Sequence, residues 1–191
     1  MKPQAVLDFW FGRPGDAGHG TPRIEWFRKD AAFDATIAQR FGALIELALA
    51  GGIDDWADTP DGALARLLVL DQFTRNVHRD TARAFAGDAK ALAGAQRMVN
   101  EGADRGLLPV QRMFVYLPFE HAENLALQQE SLQLFGQLAA DDPARADLLD
   151  WAQKHHDVVA RFGRFPHRNQ ALGRPSSAEE IEFLAQPGSR F

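Results

Sequence analysis

The sequence predicts an all-α protein of about seven helices in a largely antiparallel array, and three observations carry that expectation. Apolar residues recur at three- and four-residue spacing through nearly the whole chain. No convincing run of period-2 alternation interrupts them, and Val and Thr are nowhere concentrated as a strand would need. Helix punctuation (Pro in first turns, Ser, Thr or Asp before them, Gly after the ends) recurs at intervals that leave only short connections.

Residues 3–11 read as a short helix that sets Phe9, Trp10 and Phe11 onto something larger. GRPGDAGHGTPR, residues 12–23, is a Gly/Pro loop. Residues 30–50 form a helix with Phe33, Ile37, Phe41, Leu44, Ile45 and Ala48 on one side, ended by Gly51 and Gly52. The next starts sharply, with Thr59 able to cap and Pro60 at the first helical position, where its missing N–H costs nothing. Between Ala63 and Leu70 only Arg66 is polar, the pattern of a buried central helix. Residues 88–101 make another helix, with Asp88 as a candidate cap. Pro109 opens a helical stretch to about Ala139, kinked at Pro118. Pro143 opens the helix that runs towards residue 163, and Pro166 ends it at the latest. Ser177 with Glu180 then reads as a capping box before Ile181, Phe183 and Leu184. With no internal linker, charge block or exact repeat, the 191 residues are expected to form a single domain, 1–191.

Composition narrows the function. A net charge of −5 gives no broad attraction to nucleic acid or to an anionic membrane, so any anion site must be local. Without cysteine there is no thiolate nucleophile, disulfide or iron–sulfur cluster. The first residues lack the h-region and cleavage site of a signal peptide, and charge breaks every apolar run well short of a membrane span. A soluble cytoplasmic protein is expected. No GxxxxGK[ST], GxGxxG, GxSxG or HExxH occurs, so no cofactor is implied.

Several polar residues fall where the periodicity reserves core. Asp71 and Arg75 continue the stripe of Leu64, Leu67 and Leu68 and stand four apart, close enough to pair, as do Gln72 and Asn76. His121 lies within the stripe Val110, Phe114, Leu117, Leu125, Gln128, Leu132 and Phe135, with Glu120 beside it and Asn124 on the next turn. His155 and His156 precede Val159 and Phe162, so at least one should point inward. Buried polar groups cost about 1–3 kcal/mol each unless paired, so the carboxylates of Asp71, Glu120 and Glu123 need partners. RFGRFPHRN, residues 161–169, supplies candidates in an otherwise acidic chain: residues 161–174 hold Arg161, Arg164, Arg168 and Arg174 and no acid.

LDFWFG near the start, LDQFTRN (70–76), ARAFAGD (82–88), YLPFEHAEN (116–124) and RFGRFPHRN with LGRPSSAEE (161–180) together resemble the signature blocks of a bacterial family known as domain of unknown function 924. The blocks stand in the expected order over essentially the whole chain. Thr74 stands where that pattern has proline, and Ala122 where it has serine. The resemblance implies an all-α, tetratricopeptide-repeat-like fold and no reaction.

Two uses of these residues compete. The arginines can clamp the last helices through bidentate pairs with carboxylates. Alternatively Arg75, Asn76, Asn124, Arg161, Arg164, His167, Arg168, Asn169 and Arg174 can line a site for a small anionic molecule, a carboxylate or phosphate, or for a peptide carboxylate. On the second view the protein is a helical binding module. The alternative is an enzyme on a small anionic substrate, with His121 as general acid or base oriented by Glu120 or Asp71. A metal held by His121, His156 and His167 would match no known ligand spacing.

Overall fold

The structure, a computed structural model, describes residues 1–189. Its packing separates into two units, Met1–Arg79 with Arg83–Pro118, and Asp80–Ala82 with the chain from Phe119 on. Among the described residues there are eight helices and no strand.

The first unit is built around α3, a continuous helix over 60–77. Thr59 caps it by accepting from the Gly62 N–H at 3.2 Å, and Pro60 opens it. Its middle, Val69–Phe73, is a π-helical turn whose five residues are all buried. Onto α3 pack α1 (Pro3–Phe11), α2 (Ala31–Leu49) and α4 (Asp88–Asn100). The Asp30 carboxylate caps α2 on the Ala32 and Phe33 N–H groups. Trp10 and Trp26 stack at 5.7 Å, Phe114 meets Trp26 edge-on at 4.9 Å, and Phe41 meets Phe73 at 4.9 Å, so aromatic rings fill this core. The Gly/Pro loop returns to α1, where Arg23 donates to the Phe9 carbonyl at 2.8 Å. Gly87 precedes α4 because nothing larger fits: a Cβ there would stand 2.1 Å from the Leu70 carbonyl oxygen of the π turn.

α5 (Pro109–Glu120) gives its last two residues to the second unit. The sequence predicts a kink at Pro118 within one long helix; the structure has a break instead. Pro118 removes a backbone donor near the helix end, the chain leaves the helix after Glu120, and Asn124 starts α6 (Leu125–Asp141) by accepting from the Leu127 N–H at 3.2 Å. A short turn, Pro143–Arg145, leads to α7 (Ala146–Phe162), which packs on α6. Val158, Val159 and Phe165 form the centre of this unit, joined by Phe162 and by Phe183 of α8 (Ala178–Leu184). The capping box forms as expected: Ser177 accepts from the Glu180 N–H and Glu180 accepts from the Ser177 N–H. Trp151 is 47 % exposed, with the Lys154 ammonium 4.0 Å from its ring.

Candidate functional site

In the first unit the polar residues of α3 are held by carboxylates in two groups. Arg75 Nη1 stands 2.9 Å from the Asp71 carboxylate and donates to the Asp71 carbonyl at 2.8 Å. The same guanidinium takes Asp88 bidentately, at 2.9 and 3.1 Å. Asp88, a candidate cap in the sequence, is therefore a salt-bridge partner, and Gly87 holds the cap position. Gln72 and Asn76 do not bond to each other: Gln72 donates to Asp71 at 2.5 Å and Asn76 to Asp34 at 2.7 Å. Asp34 also takes Arg79 at 2.6 Å. Burial would raise the Asp34 pKa, but the hydrogen bonds from Arg79 and Asn76 outweigh it and hold the carboxyl below its usual range. A cleft of about 70 Å³ beside α3 is lined by Arg66, Arg97 and Glu101 among others and includes none of the nominated residues.

The arginine segment lies in the second unit, and three of its arginines pair with glutamates. Arg174 grips Glu123 bidentately at 2.6 and 2.8 Å and donates to Asn169 Oδ1 at 3.0 Å and the Phe165 carbonyl at 3.2 Å. Glu123 also accepts the Phe165 N–H at 2.8 Å. Burial pushes this carboxyl up, while Arg174 and the Phe165 N–H draw it below the usual range. Arg164 holds Glu180 at 2.7 and 2.8 Å and the Pro175 carbonyl at 2.9 Å. Those bonds from Arg164 lead the causes that lower the Glu180 pKa to about 2. Arg161 pairs with Glu179 at 2.8 Å with both side chains exposed. Asn169 bridges onward to Ser176 Oγ at 3.0 Å.

Arg168, His155 and His167 gather around one ring. Phe165 is fully buried, and the Arg168 guanidinium lies 4.5 Å from its centroid. The imidazole of His155 meets Phe165 edge-on at 5.5 Å and that of His167 is tilted against it at 5.7 Å. Of the two adjacent histidines on α7, His155 is the buried one; His156 stands 3.2 Å from Asp157 on a more open side. The His155 Nδ1 is 2.9 Å from the Trp151 carbonyl and 3.1 Å from Glu120 Oε1. A carbonyl only accepts, so Nδ1 carries the hydrogen and the neutral ring keeps its lone pair on Nε2. Burial, helped by the charges of His121, Arg168 and His167, pushes the His155 pKa down to about 3. Glu120 therefore faces His155, the partner that sequence spacing did not single out for it. Among the described residues no three His, Asp or Glu side chains are arranged to hold a metal ion.

One buried network had no periodic signal. Tyr116 donates to Asp104 at 2.6 Å and accepts from Arg112 at 3.2 Å, and burial with the Asp104 bond pushes the phenol up to about 12. Asp104 sits in a short turn between Gly102 and Leu107, where no apolar stripe marks its burial.

Among curated proteins none matches the chain. A solved structure of a protein of unknown function from Agrobacterium tumefaciens is 37% identical, superposes with a TM-score of 0.82 and covers 96% of each chain. The model of a family described as bacterial protein of unknown function, DUF924, matches residues 6–188. With the match spanning nearly every residue, the chain belongs to the DUF924 family of bacterial proteins.

Proposed function

We propose that this protein is a helical binding module for a small anion, a carboxylate or phosphate, taken up where His121, His155, His167 and Arg168 come together in the second unit. The observation that carries the reading is the packing of His155, His167 and Arg168 around Phe165, at 5.5, 5.7 and 4.5 Å. A guanidinium offers five donors in a fixed fork, and the His121 and His167 imidazoles offer at least one each, while the single N–H of His155 is already given to the Trp151 carbonyl. His121 and His167 sit near His155, so the cluster gathers the Arg168 cation and imidazole donors in a chain of net charge −5. Arg164 and Arg174 support the cluster from the side: by engaging Glu180 and Glu123 they neutralise two of the carboxylates that would repel an anion. The resemblance to tetratricopeptide-like arrays, which clamp peptide carboxylates with Arg, Lys and Asn, adds a fold-level analogy. The reading takes the protein as cytoplasmic, in keeping with the lack of cysteine and with described helices that are not long and apolar enough to cross a membrane.

Thermal melting in phosphate, acetate and citrate tests it. An anion that binds only the folded state adds about 2.7 kcal/mol at a hundred times its dissociation constant. Stabilisation by at least one of them is expected in the native protein and in Arg161→Gln, and its loss in Arg168→Gln. No stabilisation by any of the three, or stabilisation that Arg168→Gln retains, would refute the assignment.

A further inference from the structure

Gln128 and Ser131 lie one turn apart on α6, both with no exposed surface. The Gln128 amide nitrogen donates to the carbonyls of Glu120 at 2.7 Å and Ala122 at 2.8 Å, and at 3.4 Å to that of Phe119. Three carbonyls can only accept, so they fix the amide: its nitrogen faces the turn after α5 and its oxygen faces the other way. That oxygen, Gln128 Oε1, has no hydrogen-bond partner among the described residues, and neither has Ser131 Oγ. Native structures rarely leave two such atoms buried one turn apart on one helix without a partner.

We propose that Gln128 Oε1 and Ser131 Oγ form an internal site for one small neutral hydrogen-bond donor, a water molecule. The chemistry selects the occupant. Gln128 Oε1 only accepts, so the bound group must donate to it, which a carboxylate or fully ionised phosphate cannot do. The serine hydroxyl donates or accepts, so it meets either remaining valence of a water. Held there, the water ties the interior face of α6 to the amide that in turn fastens the Glu120–Ala122 turn, the segment carrying Glu120 and His121. The site stands apart from the anion reading and survives its failure.

A high-resolution crystal structure of the full chain and the melting of Ser131→Ala test the proposal together. The structure is expected to show a solvent peak about 2.8 Å from both oxygens. The variant is expected to melt a few degrees lower, even though alanine is the better helix former. A dry site with Ser131 Oγ turned onto the Leu127 carbonyl would overturn the proposal. So would a Ser131→Ala protein that melts at or above the native temperature, since removing an unpaired buried hydroxyl relieves a cost.

Discussion

Replacing Glu123 with alanine removes the carboxylate on which the arginine segment closes. Three donors lose their acceptor at once: both Arg174 terminal nitrogens, at 2.6 and 2.8 Å, and the Phe165 N–H at 2.8 Å. An exposed ion pair is worth about 0–1 kcal/mol, and breaking a fully buried one costs about 3–5 kcal/mol. Both side chains here are 24 % exposed and the pair is bidentate, which places the loss between those limits, at about 2–3 kcal/mol. In a chain of this size that corresponds to a fall of roughly 5–10 °C in Tm. Melting followed by circular dichroism reads it, with Glu179→Ala as the comparison. Glu179 pairs with Arg161 with more than half of each side chain in solvent, so its loss should change stability by less than about 0.5 kcal/mol. If Glu123→Ala melts no lower than Glu179→Ala, the segment is not held by its carboxylates, and the clamp is wrong.

Acid unfolding should separate two groups. Glu180, lowered to about 2 chiefly by Arg164, contributes stability that is complete above its unfolded pKa near 4.5 and lost as pH falls towards 2; Glu180→Gln should flatten that part of a urea-stability profile. His155, held near 3 by burial, binds fewer protons folded than unfolded between about 6.5 and 3, so its contribution falls as pH drops through that window. His155→Gln should remove the slope between about pH 6.5 and 4.5, and an unchanged slope would mean that the ring is hydrated. Gly87→Ala should cost roughly 3 kcal/mol in denaturant unfolding, because its Cβ would overlap the Leu70 carbonyl; a neutral substitution would show that α4 shifts freely from α3.

The helices were legible because each has a local cause. Thr59 with Pro60 and the Ser177–Glu180 box act within one turn of chain, and both stand where their spacing put them. The Asp71–Arg75 pair was legible for the same reason, being one helical turn apart. Partners distant in sequence were not. Asp88 joins Arg75 and Asp34 joins Asn76 across 13 and 42 residues, and only packing decides such pairs. Pro118 announced a disturbance but not its size, since the outcome depended on Asn124 being free to start a new helix. The π turn at Val69–Phe73 carries no signature in its apolar run. For the candidate site, charge counting identified the arginine segment and its need for carboxylates. It could not divide the arginines between Glu123 and Glu180 on one side and Phe165 on the other, which follows from how the segment between α7 and α8 folds.

The most direct test of the anion site is a phosphate titration followed by the imidazole nitrogen and carbon-bound proton resonances of the six histidines. Saturable shifts are expected at His121, His155 and His167, with His19, His78 and His156 unmoved. Shifts spread evenly over all six, or confined to histidines outside the Phe165 cluster, would contradict it.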